Sequence, residues 1–255
     1  MSTPADRFSE TAAGYAATMA PSLRPIATEV VRRAALGAGE RVLDVGTGTG
    51  IAAAAARGAG RDVIGIDAAP GMLAIARADV DGVAFEEMDF LQLGFADGAF
   101  DVVTAAHSLL FATDRVAALA EWLRVTRPGG RLSLSVPGPT ARTPTATYAE
   151  IYEEHGIDTS DRYPTPEALA ASARHAGWTG VQTDADPSTA IVLPDEAAFR
   201  TWRAIGSRGA ATADYTAAQH DALTEAMLAV TPVAADGTLR IPFGAIYLTA
   251  RRPTG

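Results

Sequence analysis

The sequence predicts an α/β fold built on an open, doubly wound parallel sheet. Between residues 41 and 136, short runs rich in Val and Ile alternate with Ala- and Leu-rich helical patterns, as in repeated strand–helix–strand units. The chain has 255 residues, 48% of them hydrophobic and 20% charged, which is enough for one well-buried core. A glycine-rich loop between the first strand and the first helix of this region indicates a ligand site at the carboxyl edge of the sheet.

The elements of this region follow one another in a regular order. Strands are predicted at 41–45, 62–66, 83–88, 100–105 and 131–136, and helices between them at 50–57, 70–78 and 113–126. The third helix begins with Thr113 or Asp114 as N-cap. It stops before a turn, Arg127-Pro128-Gly129-Gly130, that reverses the chain into the fifth strand.

The pattern changes after residue 136. A loop rich in Pro, Gly and Thr covers 137–144, helices are predicted at 147–155, 166–177, 195–205 and 216–230, and strands at 178–183 and 241–250. We interpret the chain as a single domain with an N-terminal helical segment (1–36) and a ligand-binding core (37–136). Segments 137–177 and 188–240 then form a helical lid over one side of the ligand site, and 241–250 is the closing strand.

Composition excludes several kinds of chemistry. The chain contains no Cys, all 21 of its Lys+Arg residues are Arg, and it contains no Asn. Cys-ligated metals, disulfides and Schiff bases are therefore absent, and no adjacent group of acids or histidines has metal-ligand spacing. The net charge of −9 has the wrong sign for a nucleic-acid partner.

The location is expected to be cytoplasmic. The first 20 residues lack the pattern of a signal peptide, and no apolar run approaches the ~18 to 20 residues that cross a bilayer. No membrane association is therefore expected. The oligomeric state, monomer or homodimer, stays open.

The glycine loop is the most informative segment. Asp44 at the end of the first strand is followed by Gly46-Thr47-Gly48-Thr49-Gly50 and then by an Ala-rich helix. Residues 48–53 also match G-x-G-x-x-A, so an NAD(P)-dependent oxidoreductase is one interpretation. A carboxylate at position 44 would repel a pyrophosphate, however, and suits a cation such as an amino group or a sulfonium.

Two further strands also end in acids. Asp67 follows the second strand, where a carboxylate can accept hydrogen bonds from both hydroxyls of a ribose. Asp89 follows the third strand and precedes Phe90, a pair that suits the amine and the ring of adenine. Structural roles stay open for each: Asp67 as an N-cap, Asp89 as the start of a turn, Phe90 as core, and Asp44 as support for the loop.

From about residue 15 to residue 252, the chain resembles the class I S-adenosylmethionine-dependent methyltransferases. Residues 44–50 match the first motif of that family, Asp67 its ribose-binding acid, Asp89-Phe90 its adenine pair, and residues 127–132 the start of its fifth strand. The segment looks most like the ubiquinone/menaquinone-biosynthesis type and its small-molecule relatives. The resemblance implies a Rossmann-like sheet of seven strands in the order 3-2-1-4-5-7-6, with the last strand antiparallel.

The same resemblance implies S-adenosylmethionine as cofactor. The residues expected to contact it are Tyr15, Asp44, Gly46, Thr47, Gly48, Gly50, Asp67, Ala68, Met72, Asp89, Phe90 and His107. Tyr15 corresponds to a tyrosine that covers the cofactor in similar enzymes, although a packed surface helix would explain it as well.

The expected reaction is methylation of oxygen or carbon on a small-molecule acceptor by direct displacement. Such a transfer mainly requires positioning, and a base only where the acceptor must lose a proton. His107, just after the fourth strand, is the first candidate for that base, with packing of the strand end as the alternative. A non-catalytic protein that binds S-adenosylmethionine is a further alternative.

A group of aromatic residues in the later helices has two interpretations. Its members either line an apolar acceptor pocket or pack a helical core. They are Tyr148, Tyr152, Phe199, Trp202 and Tyr215.

Overall fold

A computed structural model describes residues 3–58, 61–138, 146–157, 164–205 and 212–254. The strands are β1 (Arg41–Val45), β2 (Asp62–Asp67), β3 (Ala84–Glu87), β4 (Phe100–Ala106), β5 (Thr126–Pro137), β6 (Thr179–Asp186), β7 (Ala190–Leu193), β8 (Leu239–Pro242) and β9 (Ala245–Arg251). The helices are α1 (Pro4–Glu10), α2 (Ala12–Thr18), α3 (Ala20–Ala34), α4 (Ile51–Ala56), α5 (Pro70–Asp79), α6 (Arg115–Val125), α7 (Ala146–Glu154), α8 (Pro166–His175), α9 (Glu196–Ala204) and α10 (Ala217–Val230). A short 3₁₀ helix covers Leu109–Phe111.

The main sheet has seven strands in the order β3-β2-β1-β4-β5-β9-β6. Neighbouring strands from β3 to β5 are parallel, and β9 is antiparallel to both β5 and β6. With β9 as the last strand, this is the order 3-2-1-4-5-7-6, so the predicted fold class is confirmed. The carboxyl ends of β1, β2 and β4 therefore lie side by side at one edge.

Successive residues of the central strands are buried on opposite faces of the sheet. Val42 packs with residues of α3, α4 and α5, whereas Leu43 packs with residues of α6 and α8. This alternation follows from the two-residue period of a strand, and helices cover both faces, as a parallel sheet requires. Leu169 and Ala173 of α8 belong to this core, so α8 packs against the sheet and does not contribute to a lid.

The predicted turn at 127–130 lies within β5. Strand β5 pairs with β4 from Thr126 onwards, and its register shifts between the pairs formed by Phe100 and Val102. Gly129 has φ +74°, a conformation that glycine adopts without strain. The turn signal thus produces an irregularity inside a longer strand.

The prediction of a single closing strand at 241–250 is wrong. The segment divides into β8, which pairs with β7 in a separate two-stranded sheet, and β9, which joins the main sheet. Phe243 and Gly244 connect them, and Gly244 has φ +65°, which redirects the chain from one sheet to the other. Strand β7 is absent from the sequence-based prediction because its four residues are too few for a clear alternation.

The N-terminal helices lie across the carboxyl edge of the sheet. The Gly71 backbone N–H at the start of α5 donates to Ser9 Oγ at 3.2 Å. A Cβ on Gly71 would lie 2.5 Å from the Ser9 carbonyl oxygen, so only glycine permits this approach of α1. The Phe8 ring packs edge-on against both Tyr15 and Phe111, with centroid distances of 6.1 and 5.1 Å.

Candidate functional site

The glycine loop joins β1 to α4 through three left-handed residues. Gly46, Gly48 and Gly50 have φ of +65°, +55° and +82°, values that side-chain-bearing residues rarely adopt. Gly46 also approaches the chain after β4 closely, since an added Cβ would lie 2.3 Å from Ser108 Cβ. The Thr47 N–H donates to the Ile66 carbonyl of β2 at 2.8 Å, so the loop is held against both neighbouring strands.

Asp44, in strand β1, supports this loop by hydrogen bonds. Its side chain is buried, with 1% of the residue exposed, and its two oxygens accept hydrogen bonds from Thr47 Oγ1 at 2.7 Å and Thr104 Oγ1 at 2.9 Å. Burial raises the pKa of Asp44 to about 6, and the nearby charge of Asp67 acts in the same direction. Asp44 therefore supports the loop, which is the structural role that the sequence left open for it. The donors are the hydroxyls of Thr47 in the loop and Thr104 in β4.

Asp67 connects the glycine loop to the start of α5. Its Oδ2 accepts from the Gly48 N–H at 2.8 Å and its Oδ1 from the Ala69 N–H at 2.9 Å. Burial raises the pKa of this carboxyl, although the backbone donors oppose the shift. One carboxylate therefore orients two backbone segments that meet at the edge of the sheet.

The Asp89-Phe90 pair combines structural contacts with a position beside a cavity. Asp89 is exposed and its Oδ1 accepts from the Leu91 N–H at 2.8 Å, so it begins a turn. The Phe90 ring packs edge-on against Trp122 at a centroid distance of 6.2 Å and also lines the larger cavity described below. The structure therefore agrees with the structural interpretations of Asp89 as the start of a turn and of Phe90 as a packed residue.

His107 is held in an unusual backbone conformation at the end of β4. Its φ is +58° and only 8% of the residue is exposed. Its backbone N–H donates to the Ser135 carbonyl at 3.0 Å, and its Nδ1 lies 2.8 Å from Ser135 Oγ. Burial lowers the pKa of His107 to about 4, against an opposing contribution from the Ser135 backbone. Its Nε2 has no hydrogen-bond partner in the part of the chain that the structure describes.

Two adjoining cavities open at this edge. The larger is an open cavity with about 1020 Å³ of empty space, its open mouth included. Its lining combines Asp67 and His107 with an apolar wall, which we define as Phe8, Leu23, Phe111, Pro137, Ile205 and Phe243. The smaller cavity is lined by Asp44, Thr47 and Thr49, and shares Tyr15, Gly46, Gly48 and His107 with the larger.

The structure brings most of the predicted contact residues together. The larger cavity is lined by Tyr15, Gly46, Gly48, Asp67, Ala68, Met72, Phe90 and His107, and the smaller by Asp44 and Thr47. Gly50 and Asp89 lie beside the cavities and outside both linings. Thr49 was missed although it lies within the predicted loop, and its buried Oγ1 has no partner among the described residues.

The apolar side of the site is formed by residues outside the aromatic group of the later helices. The aromatic residues of the later helices pack with α3 and the β7–β8 sheet in a second core, and none of them is among the residues that line the two cavities. These contacts agree with the alternative interpretation, in which the aromatic residues pack a helical core. Phe243 lines the larger cavity instead, with its ring 5.5 Å from the His107 ring, and no local pattern marks it.

Within the described ranges, no group of three or more His, Cys, Asp or Glu side chains could hold a metal ion. Over the same residues, no helix has the length and hydropathy to cross a membrane.

Asp44 and His107 are expected to contribute opposite slopes to the pH dependence of stability. The pKa of Asp44 rises on folding from 3.8 to about 6. The stabilising contribution of Asp44 to the free energy of unfolding is therefore fully present below pH 3.8 and is lost as the pH rises through 6. The pKa of His107 falls from 6.5 to about 4, so its contribution is present above pH 6.5 and lost as the pH falls through 4. The two slopes oppose each other in the wild type.

In Asp44→Asn, the free energy of unfolding should therefore rise from pH 4 to pH 6 by about 2 kcal/mol more than it does in the wild type. His107→Gln should change it by a similar amount in the opposite direction. Urea denaturation of the ligand-free protein at several pH values measures both. Parallel profiles for the wild type and the two variants would contradict the assigned shifts.

The sheet order, the glycine loop and the carboxylates at neighbouring strand ends define a class I S-adenosylmethionine-dependent methyltransferase. The family model described as "Methyltransferase domain" matches residues 43–134. The demethylmenaquinone methyltransferase of Beutenbergia cavernae is 39% identical over 168 residues, which cover 58% of this chain and 70% of the relative. The enzyme of the same name from Thermus thermophilus is 36% identical over 168 residues, 55% of this chain and 74% of the relative.

Among solved structures, the crystal structure of the [4+2]-cyclase SpnF aligns with a TM-score of 0.61 and 26% identity, covering 91% of this chain and 82% of that chain. The chain belongs to the S-adenosylmethionine-dependent methyltransferases of the quinone-biosynthesis type, and it transfers a methyl group to a small-molecule acceptor. The oxidoreductase interpretation of residues 48–53 is therefore wrong.

Proposed function

We propose that the two cavities together bind S-adenosylmethionine along the carboxyl edge of β1, β2 and β4. The adenosine lies towards Asp67, Asp89 and Phe90, and the methionine part lies over the glycine loop. One observation carries this proposal: Asp67 is hydrogen-bonded to the Gly48 N–H while it lines the larger cavity. A carboxylate accepts about four hydrogen bonds, so it can orient the loop and still accept from ribose hydroxyls.

Charge supports the same orientation. Asp44 and Asp67 provide carboxylates near the loop, where a cationic sulfonium or amino group is favoured and a pyrophosphate is not. Thr49 Oγ1, buried without a partner among the described residues, lines the smaller cavity and can hydrogen-bond the amino-acid end of the cofactor. Tyr15 covers the site from α2.

The apolar wall suits the uncharged hydrocarbon part of an acceptor, because burial of an unpaired charge is unfavourable. We propose that the acceptor is a quinol, the reduced and nucleophilic form of a quinone of the kind in the name of the demethylmenaquinone methyltransferases. Transfer then occurs by direct displacement from the sulfonium to carbon or oxygen. The role of His107 as a general base stays a prediction, and a pKa of about 4 makes it a weak base at neutral pH.

We also propose that the chain acts as one domain, with the cofactor core at 37–136 and the acceptor side formed by segments before and after it. We propose a cytoplasmic location and no nucleic-acid partner, and the net charge of −9 supports the second of these because nucleic-acid backbones bind clustered cationic side chains.

Calorimetry tests the cofactor proposal directly. The wild-type protein should bind S-adenosylmethionine and S-adenosylhomocysteine with dissociation constants in the micromolar range, about −8 kcal/mol. NADH serves as the control and should give no heat of binding, because its pyrophosphate would face Asp44. Absence of binding by either sulfur compound at millimolar concentration would overturn the proposal.

A further inference from the structure

Ser135 of β5 makes two contacts with His107, one through its backbone and one through its side chain. The Ser135 carbonyl accepts the His107 N–H at 3.0 Å, and Ser135 Oγ lies 2.8 Å from His107 Nδ1. Ser135 is fully buried and pairs with Ala106 in the β4–β5 register. A single residue of a central strand thus sets both the strained backbone and the orientation of the imidazole.

Counting hydrogens decides which ring nitrogen carries the proton. A serine hydroxyl has one hydrogen, and so does a neutral imidazole. If the Ser135 hydroxyl donates to Nδ1, the ring hydrogen is on Nε2 and every polar atom of the pair except Nε2 is satisfied. If Nδ1 donates instead, the hydroxyl hydrogen needs another acceptor, and the described residues include no other partner of Ser135 Oγ. The second arrangement leaves one more buried group unpaired, which is unfavourable.

We propose that Ser135 is a positioning residue that holds His107 as the neutral tautomer protonated on Nε2, and that this N–H donates a hydrogen bond to an oxygen of the acceptor. The proposal rests on the proposed function, because it requires an acceptor beside the cofactor. His107 lines both cavities, and its Nε2 is buried without a partner among the described residues. The low pKa of His107 agrees with a ring that stays neutral.

This assignment gives His107 a role different from that of a base and names the class of acceptor. A ring nitrogen that already carries its proton cannot remove another, but it can stabilise an oxyanion. The acceptor is therefore an enolate or a phenolate that has lost its proton to solvent before transfer. Its nucleophilic carbon forms a bond to the methyl group, the carbon–sulfur bond breaks, and the electron pair stays on sulfur as a thioether. The oxyanion becomes a carbonyl, and the positive charge of the sulfonium is cancelled.

The tautomer is measurable without turnover. Nitrogen-15 NMR of protein labelled at histidine, with the His107 signals assigned by their loss in His107→Gln, should show a protonated Nε2 and an unprotonated Nδ1 between pH 5.5 and 8. Ser135→Ala should abolish this preference. Ser133→Ala is the matched control, because Ser133 is equally buried on the same face of β5 and its hydroxyl donates elsewhere, to the Val30 carbonyl at 2.7 Å. A wild-type ring protonated on Nδ1 would overturn the proposal.

Kinetics at saturating cofactor provide the second measurement. His107→Gln keeps an N–H donor and should retain kcat within about tenfold, whereas His107→Ala should lose about 100-fold or more. Ser135→Ala should lower kcat in the wild-type background and have no further effect in His107→Ala. Equal losses in the Gln and Ala variants would indicate a general base and overturn the donor role. Calorimetry with S-adenosylhomocysteine on the same samples separates these outcomes from a failure of the cofactor proposal.

Discussion

Asp67→Ala is expected to weaken the binding of S-adenosylmethionine by at least about 100-fold, because hydrogen bonds to a charged group contribute ~1.5 to 3 kcal/mol each. The substitution removes the acceptor for two ribose hydroxyls. It also releases the Gly48 and Ala69 N–H groups, which the carboxylate holds at 2.8 and 2.9 Å, so the glycine loop loses its connection to α5. Calorimetry with S-adenosylhomocysteine measures the change.

Two further variants separate the ribose contact from a general effect of charge. Asp67→Asn keeps one acceptor oxygen and should bind with an intermediate affinity. Asp62→Ala removes a carboxylate from the opposite end of β2, where the side chain is exposed and pairs with Arg41 Nε at 2.9 Å, and should bind as the wild type does. A folded Asp67→Ala protein with wild-type affinity would show that the ribose is bound elsewhere.

Gly46→Ala is expected to reduce the free energy of unfolding by about 2 to 5 kcal/mol, since a left-handed backbone costs ~1 to 2 kcal/mol and overpacking a further ~1 to 3. The new Cβ would lie 2.3 Å from Ser108 Cβ. Ser108 cannot move aside readily, because its hydroxyl donates to the Val45 carbonyl at 2.7 Å and the residue is buried. Urea denaturation of the ligand-free protein measures the loss.

Gly48→Ala is the matched control for this prediction. Gly48 has a similar φ of +55°, but nothing lies within 4 Å of an added Cβ. Its loss should therefore be limited to the backbone contribution, ~1 to 2 kcal/mol. Ser108→Gly combined with Gly46→Ala should restore part of the stability relative to the two single variants. Equal losses for Gly46→Ala and Gly48→Ala would contradict the steric explanation.

The cofactor side of the molecule could be predicted because its signals are local. Strand alternation, helix caps and the glycine loop each occupy a few consecutive residues, and Asp44 and Asp67 lie at the carboxyl ends of their own strands. Asp114 illustrates this, since its Oδ1 accepts from the N–H groups of Val116 and Ala117 at 2.9 Å, as an N-cap should.

The acceptor side was predicted less well because it depends on packing between distant segments. Phe243 lies beside His107 because it connects β8, which pairs with β7, to β9 in the main sheet, and these long-range pairings leave no local signal in the sequence. Trp202 and Phe199 are apolar in the same way as the residues of a pocket, and only their neighbours in three dimensions assign them to a core. Hydrophobic pattern identifies buried residues, but not which of them face an empty space.

The two sides of the site also differ in how they are encoded. Most residues proposed to contact the cofactor lie in one continuous stretch, 44–107, whereas the apolar wall is assembled from positions as far apart as Phe8 and Phe243. A substitution in the wall can therefore change the shape of the acceptor site while the cofactor loop keeps its sequence and geometry. Substrate preference can therefore change, by natural variation or by design, while the site that binds the methyl donor stays the same.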